Sequence, residues 1–346
     1  MELRINPFFK TYRNIVCALL CALALVCCSN SSDKATSNQT TGLLANFSYS
    51  NVNIGRSTNL LYRPIRAISC SSVSFCVAVG RNGDAIIYKN GVWTKPAKID
   101  NSPGTENFNT LIAISCTFNN FCATTDRLGN VFFLENGAWT KGQDINDITT
   151  IPGMDAVQSV SCYTDKFCLF GNEFGGFISY RNGVWRHFGQ IGSNSDHIYS
   201  ISCPSSGFCV ATDSNGDAYF YKNGSIRGPV LIDPQEFPDG ILNSVSCSNI
   251  NFCATVDNAG FVFVYNGLKF NSGTNIDPAG AITSISCTSN DFCIATDAPG
   301  HAFILERGIL RETLNVNTTG TITAISCINP SFCLAVGNQG KVFKYS

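Results

Sequence analysis

Seven times along the chain the same phrase recurs: Ile/Val-Ser-Cys, five residues, a second Cys, Gly seven positions later and in most units Tyr five after that. The pairs are Cys70/Cys76, Cys116/Cys122, Cys162/Cys168, Cys203/Cys209, Cys247/Cys253, Cys287/Cys293 and Cys327/Cys333. A period of 40–46 residues is that of stacked supersecondary units, and four-stranded propeller blades have this length. The repeat predicts an all-β, seven-bladed β-propeller with four antiparallel strands per blade. It constrains the fold far more tightly than the activity.

The first repeat serves as template. Leu61 to Cys70 reads as strand a, Phe75 to Val79 as b, Asp84 to Lys89 as c and Val92 to Ile99 as d. Asn82-Gly83 and Asn90-Gly91 are hairpin signals, because two-residue turns need positive φ at both central positions. Gly83, Gly129, Gly175, Gly216, Gly260, Gly300 and Gly340 share one register, so one backbone position in each unit takes a conformation that a Cβ would penalise. Strand b is apolar at successive positions, as in Cys76-Val77-Ala78-Val79, which suits a strand buried on both faces. Trp93, Trp139 and Trp185 share a register on strand d with Ile226, Phe270 and Leu310, where bulk would fill the flaring gap between blades. The seventh unit stops after strand c, and Phe47 lies as far before Cys70 as Trp93 lies before Cys116. The segment 45–54 is therefore expected to supply the last outer strand and close the ring, which removes two open edges.

The amino-terminal residues read as an export signal. Arg4, Lys10 and Arg13 precede an apolar run from Ile15 to Cys28, and polar residues follow. At 14 residues the run is short of the roughly 20 that span a bilayer. Leu25-Val26-Cys27-Cys28 resembles a bacterial lipoprotein cleavage box with Cys28 as the lipidated residue, and plain secretion is the alternative. Residues 1–28 are thus assigned to the signal, 29–42, rich in Ser, Thr and Asn, to a flexible tether, and 43–346 to the propeller. Removing the signal takes away three cations and one anion and moves the net charge from −1 to −3. No basic stripe remains, so nucleic acid is not the expected partner, and membrane contact is expected only through the lipid.

Of 18 cysteines, Cys17, Cys21, Cys27 and Cys28 lie in the signal and fourteen in the repeats. One local pair per unit in an exported chain predicts seven disulfides within the repeats. Zinc is the competing reading. Structural zinc sites favour Cys pairs two to four residues apart, assembled in fours, and this chain has only three His.

These repeats resemble a group of exported bacterial proteins built from "ISC…FC.A.d..G…Y.NG.W" units, classed with kelch-like and WD-like propellers. The resemblance covers residues 43–346. It implies a fold and a location at the cell envelope, and it carries over no catalytic residue or cofactor. Local departures are Gly80 and Asn172 in place of the turn Asp, and Leu134 and Leu305 in place of the Tyr.

Asp126, Asp213, Asp257 and Asp297 open the b–c turns. Asp213-Ser214-Asn215-Gly216-Asp217 has the look of a calcium loop, but Gly or Asn stands here in three repeats, as a turn cap allows and a ligand set does not. Propellers commonly bind on the face of the b–c turns and d–a connectors, around the axial channel, with the disulfide hairpins opposite. There the position four before the first Cys varies through Arg66, Ile112, Gln158, Tyr199, Asn243, Thr283 and Thr323. The connectors add Asp100, Asp233 and Asp277, each after an Ile, and His197 stands near Tyr199. Arg66, Gln158, Tyr199, Asn243, Asp100, Asp233, Asp277 and His197 are the candidate ligand contacts, with packing between blades as the bland alternative. His187, His197 and His301 fall in separate repeats, and no nucleophile, phosphate or metalloprotease motif occurs. The expected function is a monomeric extracytoplasmic scaffold that presents its turn-rich face to an envelope protein or glycan. A carbohydrate-active hydrolase or lyase at the channel mouth is the first alternative, and a purely structural surface protein the second.

Overall fold

A computed structural model describes residues 47–50, 64–102, 109–145, 156–193, 196–234, 240–316 and 320–346. The signal, the tether, Cys28 and the segments 45–46 and 51–54 lie outside them. The described strands form seven separate antiparallel sheets, six running in chain order from an inner to an outer strand and the seventh taking its outer strand from Phe47–Ser50. The inner strands are Ile65–Ser72, Leu111–Cys116, Val157–Thr164, Ile198–Ser205, Leu242–Asn249, Ile282–Ser289 and Ile322–Asn329. We number the blades 1 to 7 in that order. The chain is a seven-bladed β-propeller.

Second strands such as Phe75–Gly80 and Phe252–Asp257 are buried at every position. Each faces a neighbouring blade on both sides, which is why the apolar run does not alternate. The core is accordingly not one mass but seven apolar clusters, one at each junction between neighbouring blades. One of them joins Phe332, Leu334 and Val336 of blade 7 to Ile65, Ile68 and Ala78 of blade 1. The strand Phe47–Ser50 pairs antiparallel with Val342–Tyr345, Phe47 opposite Tyr345, the register that Trp93 takes opposite Tyr88 in blade 1.

All fourteen repeat cysteines form disulfides within their own repeats: Cys70–Cys76, Cys116–Cys122, Cys162–Cys168, Cys203–Cys209, Cys247–Cys253, Cys287–Cys293 and Cys327–Cys333. Each joins the first strand of a blade to the second, with Cα atoms 3.9–4.1 Å apart. The two ends of a bond differ in setting. Cys76, Cys122, Cys168, Cys209, Cys253, Cys293 and Cys333 lie within the enclosed second strands and are at most 1% exposed. The bonds therefore sit deeper than a place in a surface hairpin suggests. These seven cysteines are crosslinks inside the blade junctions and not contact sites on a face of the ring.

The serine of the motif has an equally regular task that its spacing did not announce. The amide N–H of each first cysteine donates to the Oγ of that serine in the preceding blade, at 2.9–3.0 Å: Cys116 to Ser69, Cys162 to Ser115, Cys203 to Ser161, Cys247 to Ser202, Cys287 to Ser246, Cys327 to Ser286 and Cys70 to Ser326. These bonds run once around the ring and cross from blade 7 to blade 1. Ser246→Ala, which leaves the Cys287 amide without its acceptor, is expected to cost about 1–2 kcal/mol, read as a fall in melting temperature. An unchanged melt would remove the bond from the account.

The outer strand is interrupted in blades 1, 2 and 5, the last keeping only Thr274–Asn275 and a single bridge at Phe270. In place of one strand over Val92 to Ile99, blade 1 has Val92–Trp93 and Ala97–Lys98, and blade 2 has Ala138–Trp139 and Gln143–Asp144. In blades 1 and 2 the interruption has a local cause. The Ile87 amide donates to the Thr94 hydroxyl and the Phe133 amide to the Thr140 hydroxyl, so a side chain displaces a ladder carbonyl.

Candidate functional site

The inner strands run from the axial position four before the first Cys toward the disulfide hairpin, so the b–c turns and d–a connectors gather at the opposite end. In blades 2 to 6 the b–c turn is held by one side-chain oxygen, whereas blades 1 and 7 have Gly80 and Gly337 at that position and close the turn through the backbone. Asp126 Oδ1 accepts the Leu128 and Asn130 amides, Asp213 Oδ1 those of Asn215 and Asp217, and Asp257 Oδ1 those of Ala259 and Phe261. Asn172 Oδ1 takes the Phe174 and Gly176 amides in the same way. An amide thus replaces a carboxylate without changing the turn, which identifies these aspartates as caps and removes the calcium-loop reading of Asp213.

The turn glycine is held for two reasons. Gly260 has φ +85, and a Cβ there would lie 1.8 Å from the Asp277 carbonyl oxygen. The connector crosses directly over the turn, and its Ile276 and Asp277 amides donate to the Gly260 carbonyl.

That crossing carries Asp100, Asp233 and Asp277 inward, where they are buried. Each meets the turn aspartate of the following blade: Asp100 with Asp126, Asp233 with Asp257 and Asp277 with Asp297. Asp196 joins Asp213 likewise, with the Tyr219 hydroxyl 2.9 Å from Asp213 Oδ2 and 3.3 Å from Asp196 Oδ2. The connector aspartates are therefore junction elements and present no carboxylate at the surface, as the packing alternative had it. Burial first, and then the facing carboxylate, pushes Asp257 up to about 7. Burial likewise raises Asp126 to about 6, against the pull of its turn amides.

The variable axial positions divide into two sets. In blades 5 to 7 they are used between blades. Asn243 Nδ2 donates to the Ile282 carbonyl, Thr283 Oγ1 to that of Ile322 and Thr323 Oγ1 to that of Ile65. In blades 1 and 4 they are exposed, and in blades 2 and 3 they are half-buried like those of blades 5 to 7 but make no bond to the next blade among the described residues. Arg66 is exposed, Ile112 half-buried, and Gln158 donates to Glu173 Oε2 at 3.3 Å. Tyr199 is exposed and its ring stacks on His197, centroids 5.8 Å apart. Of the eight candidate contacts, the structure leaves Arg66, Gln158, Tyr199 and His197 around the mouth on the blade 1–4 side.

The densest titratable group, Asp196, Asp213, Asp217 and Tyr219, is sealed by its own packing. Tyr219 is 1% exposed, and burial and the facing carboxylates raise its pKa. His187 Nδ1 accepts the Gly189 amide, His301 Nδ1 lies 2.6 Å from Asp297 Oδ2, and His197 stacks on Tyr199, so the three histidines do not converge. Among the described residues no group of three or more His, Cys, Asp or Glu is arranged to hold a metal ion.

No protein-family model matches the chain, and no curated protein matches it. Solved structures do. YCF48 bound to D1 peptide superposes with a TM-score of 0.65 at 12% identity, over 82% of this chain and 94% of that one. The WD40 β-propeller domain of Doa1 gives 0.63 at 12%, over 83% and 94%, and YCF48 from Cyanidioschyzon merolae 0.62 at 13%, over 82% and 96%. At this identity the likeness is one of fold alone, that of the β-propeller.

Proposed function

We propose that the protein is an exported binding scaffold that receives a segment of a partner protein across the turn face, at the mouth on the side of blades 1 to 4. The observation that carries this reading is the division of one equivalent position. Asn243, Thr283 and Thr323 bond to the next blade, while Arg66 and Tyr199 stand in the open. A position needed only for packing would be used alike around the ring. Seven crosslinked sheets make a rigid frame, which lowers the ordering cost of binding. YCF48, of similar fold, is a protein solved with a peptide bound. Seven disulfides persist only in an oxidising compartment, which supports export, and lipidation at Cys28 would hold the propeller at the envelope surface. A glycan partner has less support, since sugar sites favour open aromatic platforms and Tyr199 is the single exposed aromatic at the mouth among the described residues.

The test is site-specific photocrosslinking in the producing cell. A benzophenone amino acid at Tyr199 should capture a discrete protein, and the same probe at Val230, exposed on the outer strand of blade 4, should not. Equal capture at both sites, or none at Tyr199, would contradict the proposal.

A further inference from the structure

The junction of blades 1 and 2 holds three guanidinium groups without a counter-ion among the described residues. Arg66 follows the first residue of the inner strand of blade 1, Arg81 lies in the b–c turn of that blade, and Arg127 lies in the b–c turn of blade 2. All three are exposed. The ring geometry brings them together. The Arg81 amide donates to the Pro64 carbonyl, two residues before Arg66, so the first turn folds over the start of its own inner strand. In blades 5, 6 and 7 the side chain equivalent to Arg66 reaches the first residue of the next inner strand. For Arg66 that residue is Leu111, whose cross-strand partner is Asp126, the neighbour of Arg127. Arg66 therefore stands between the two turns, and burial, then Arg81, then Arg127 push its pKa down.

The nearby carboxylates Asp126 and Asp100 are buried and hold backbone amides. Asp126 takes the Leu128 and Asn130 amides and the Asn130 side chain, and Asp100 takes the Ser102 amide. Asp84 sits at the start of the third strand of blade 1, half-buried and itself engaged. Four other arginines of the propeller have partners, Arg186 lying over Phe188, while Arg227 on the outer strand of blade 4 is exposed and isolated among the described residues. Arg181 lies over Phe167 and donates to Ser206 and Tyr221, Arg307 pairs with Asp291, and Arg311 pairs with Glu306. At the same junction, a cavity of about 630 Å³ between the outer strands of blades 1 and 2 is lined in part by Lys98, Lys141, Trp139 and the buried Asp100, and by none of the three arginines. In a chain of net charge −1, this is a local concentration of positive charge.

We propose that Arg66, Arg81 and Arg127 form an anion subsite for an acidic peptide segment, the Asp/Glu side chains of a partner protein. The proposal rests on the scaffold reading above and adds the chemistry of the ligand. Guanidinium forks match carboxylates in bidentate geometry. Three of them spread over two blades suit successive carboxylates of an extended chain better than one compact anion. Glu173, bonded to Gln158 on blade 3, gives the mouth a negative side, so the acidic part of the segment lies toward blades 1 and 2.

The experiment titrates the full chain into fluorescein-labelled (Gly-Glu)5, (Gly-Ser)5 and an oligogalacturonate of equal length, read by anisotropy at low salt. The acidic peptide is expected to bind at least about tenfold tighter than the neutral one, and Arg66→Gln with Arg127→Gln to remove most of that preference. Arg307→Gln, whose partner is Asp291, should change nothing. If the double variant loses the native melting temperature, Arg81→Gln alone carries the same comparison. Equal binding of acidic and neutral peptides, an equal loss in Arg307→Gln, or arginine-dependent binding of the oligogalacturonate over the peptide each overturns the proposal. Capture of a protein at position 199 together with any of those results sinks the anion subsite and leaves the scaffold standing.

Discussion

Produced where its thiols stay reduced, the propeller is expected to melt more than about 10 °C below the oxidised protein. Each bond closes a short loop between the two strands of one hairpin, and in the chain-entropy model each contributes on the order of 2 kcal/mol. Seven such contributions are large beside the 5–15 kcal/mol typical of a folded domain. The second cysteine of every pair is almost wholly buried, within the second strand that two neighbouring blades cover. A free thiol pair at that place adds bulk to a close-packed junction as well as freeing the hairpin. Removing one bond by Cys247→Ser with Cys253→Ser should give a fraction of the total loss, about 2 kcal/mol. Differential scanning calorimetry of the two forms checks the prediction, and equal melting temperatures would mean that packing alone holds the blades.

The second large effect is on pH. Stability is expected to fall as pH rises from about 4 to about 7, by enough to lower the melting temperature about 5 °C between pH 5 and pH 8. The sign follows from the paired aspartates. Asp257, facing Asp233, is raised to about 7, Asp126, facing Asp100, to about 6, and Asp217, beside Asp213 and Asp196, also to about 6. A carboxyl whose folded pKa lies above its unfolded value takes up a proton on folding. Its contribution is complete below the unfolded pKa and is lost as pH passes through the folded one. Asp257→Asn should therefore melt higher than the parent at pH 8 and flatten the pH profile. The turn itself should tolerate the change, because Asn172 already caps the same turn in blade 3. A lower melting temperature for Asp257→Asn at pH 8 would show that the carboxylate, not its repulsion, is what the junction uses.

The sequence was most informative where a demand repeats. Blade number, the disulfide pairing, the fully buried second strand and the turn glycines all recur in register, so each could be read against six copies of itself. The turn aspartates are legible as caps because Gly80 and Asn172 at the equivalent positions show what the turn tolerates. The serine before each first cysteine recurs as faithfully, yet its role was not legible. A hydroxyl that accepts an amide from the next blade can be recognised only once the inner strands are placed side by side. The inward turn of Asp100, Asp233 and Asp277 was hidden for a related reason. Its cause is the close crossing of connector over turn glycine, which has no sequence signature beyond the glycine itself. Arg81 and Arg127 carry no repeat signal, because each is a single residue in a variable turn. Their proximity to Arg66 is a property of two adjacent blades and not of either repeat.

In the proposed scaffold, a ring locked blade to blade by the serine bonds presents one binding region, at the mouth on the side of blades 1 to 4. Hydrogen exchange with mass spectrometry, on the free protein and with the partner captured at position 199, tests both halves at once. The expected result is slow exchange over all seven inner strands, Cys70 included at the junction of blades 7 and 1. Added partner should bring new protection at residues 64–67, 80–83, 126–129 and 196–199. Fast exchange at Cys70 beside slow exchange in the other six, or partner-induced protection confined to the disulfide hairpins, would contradict it.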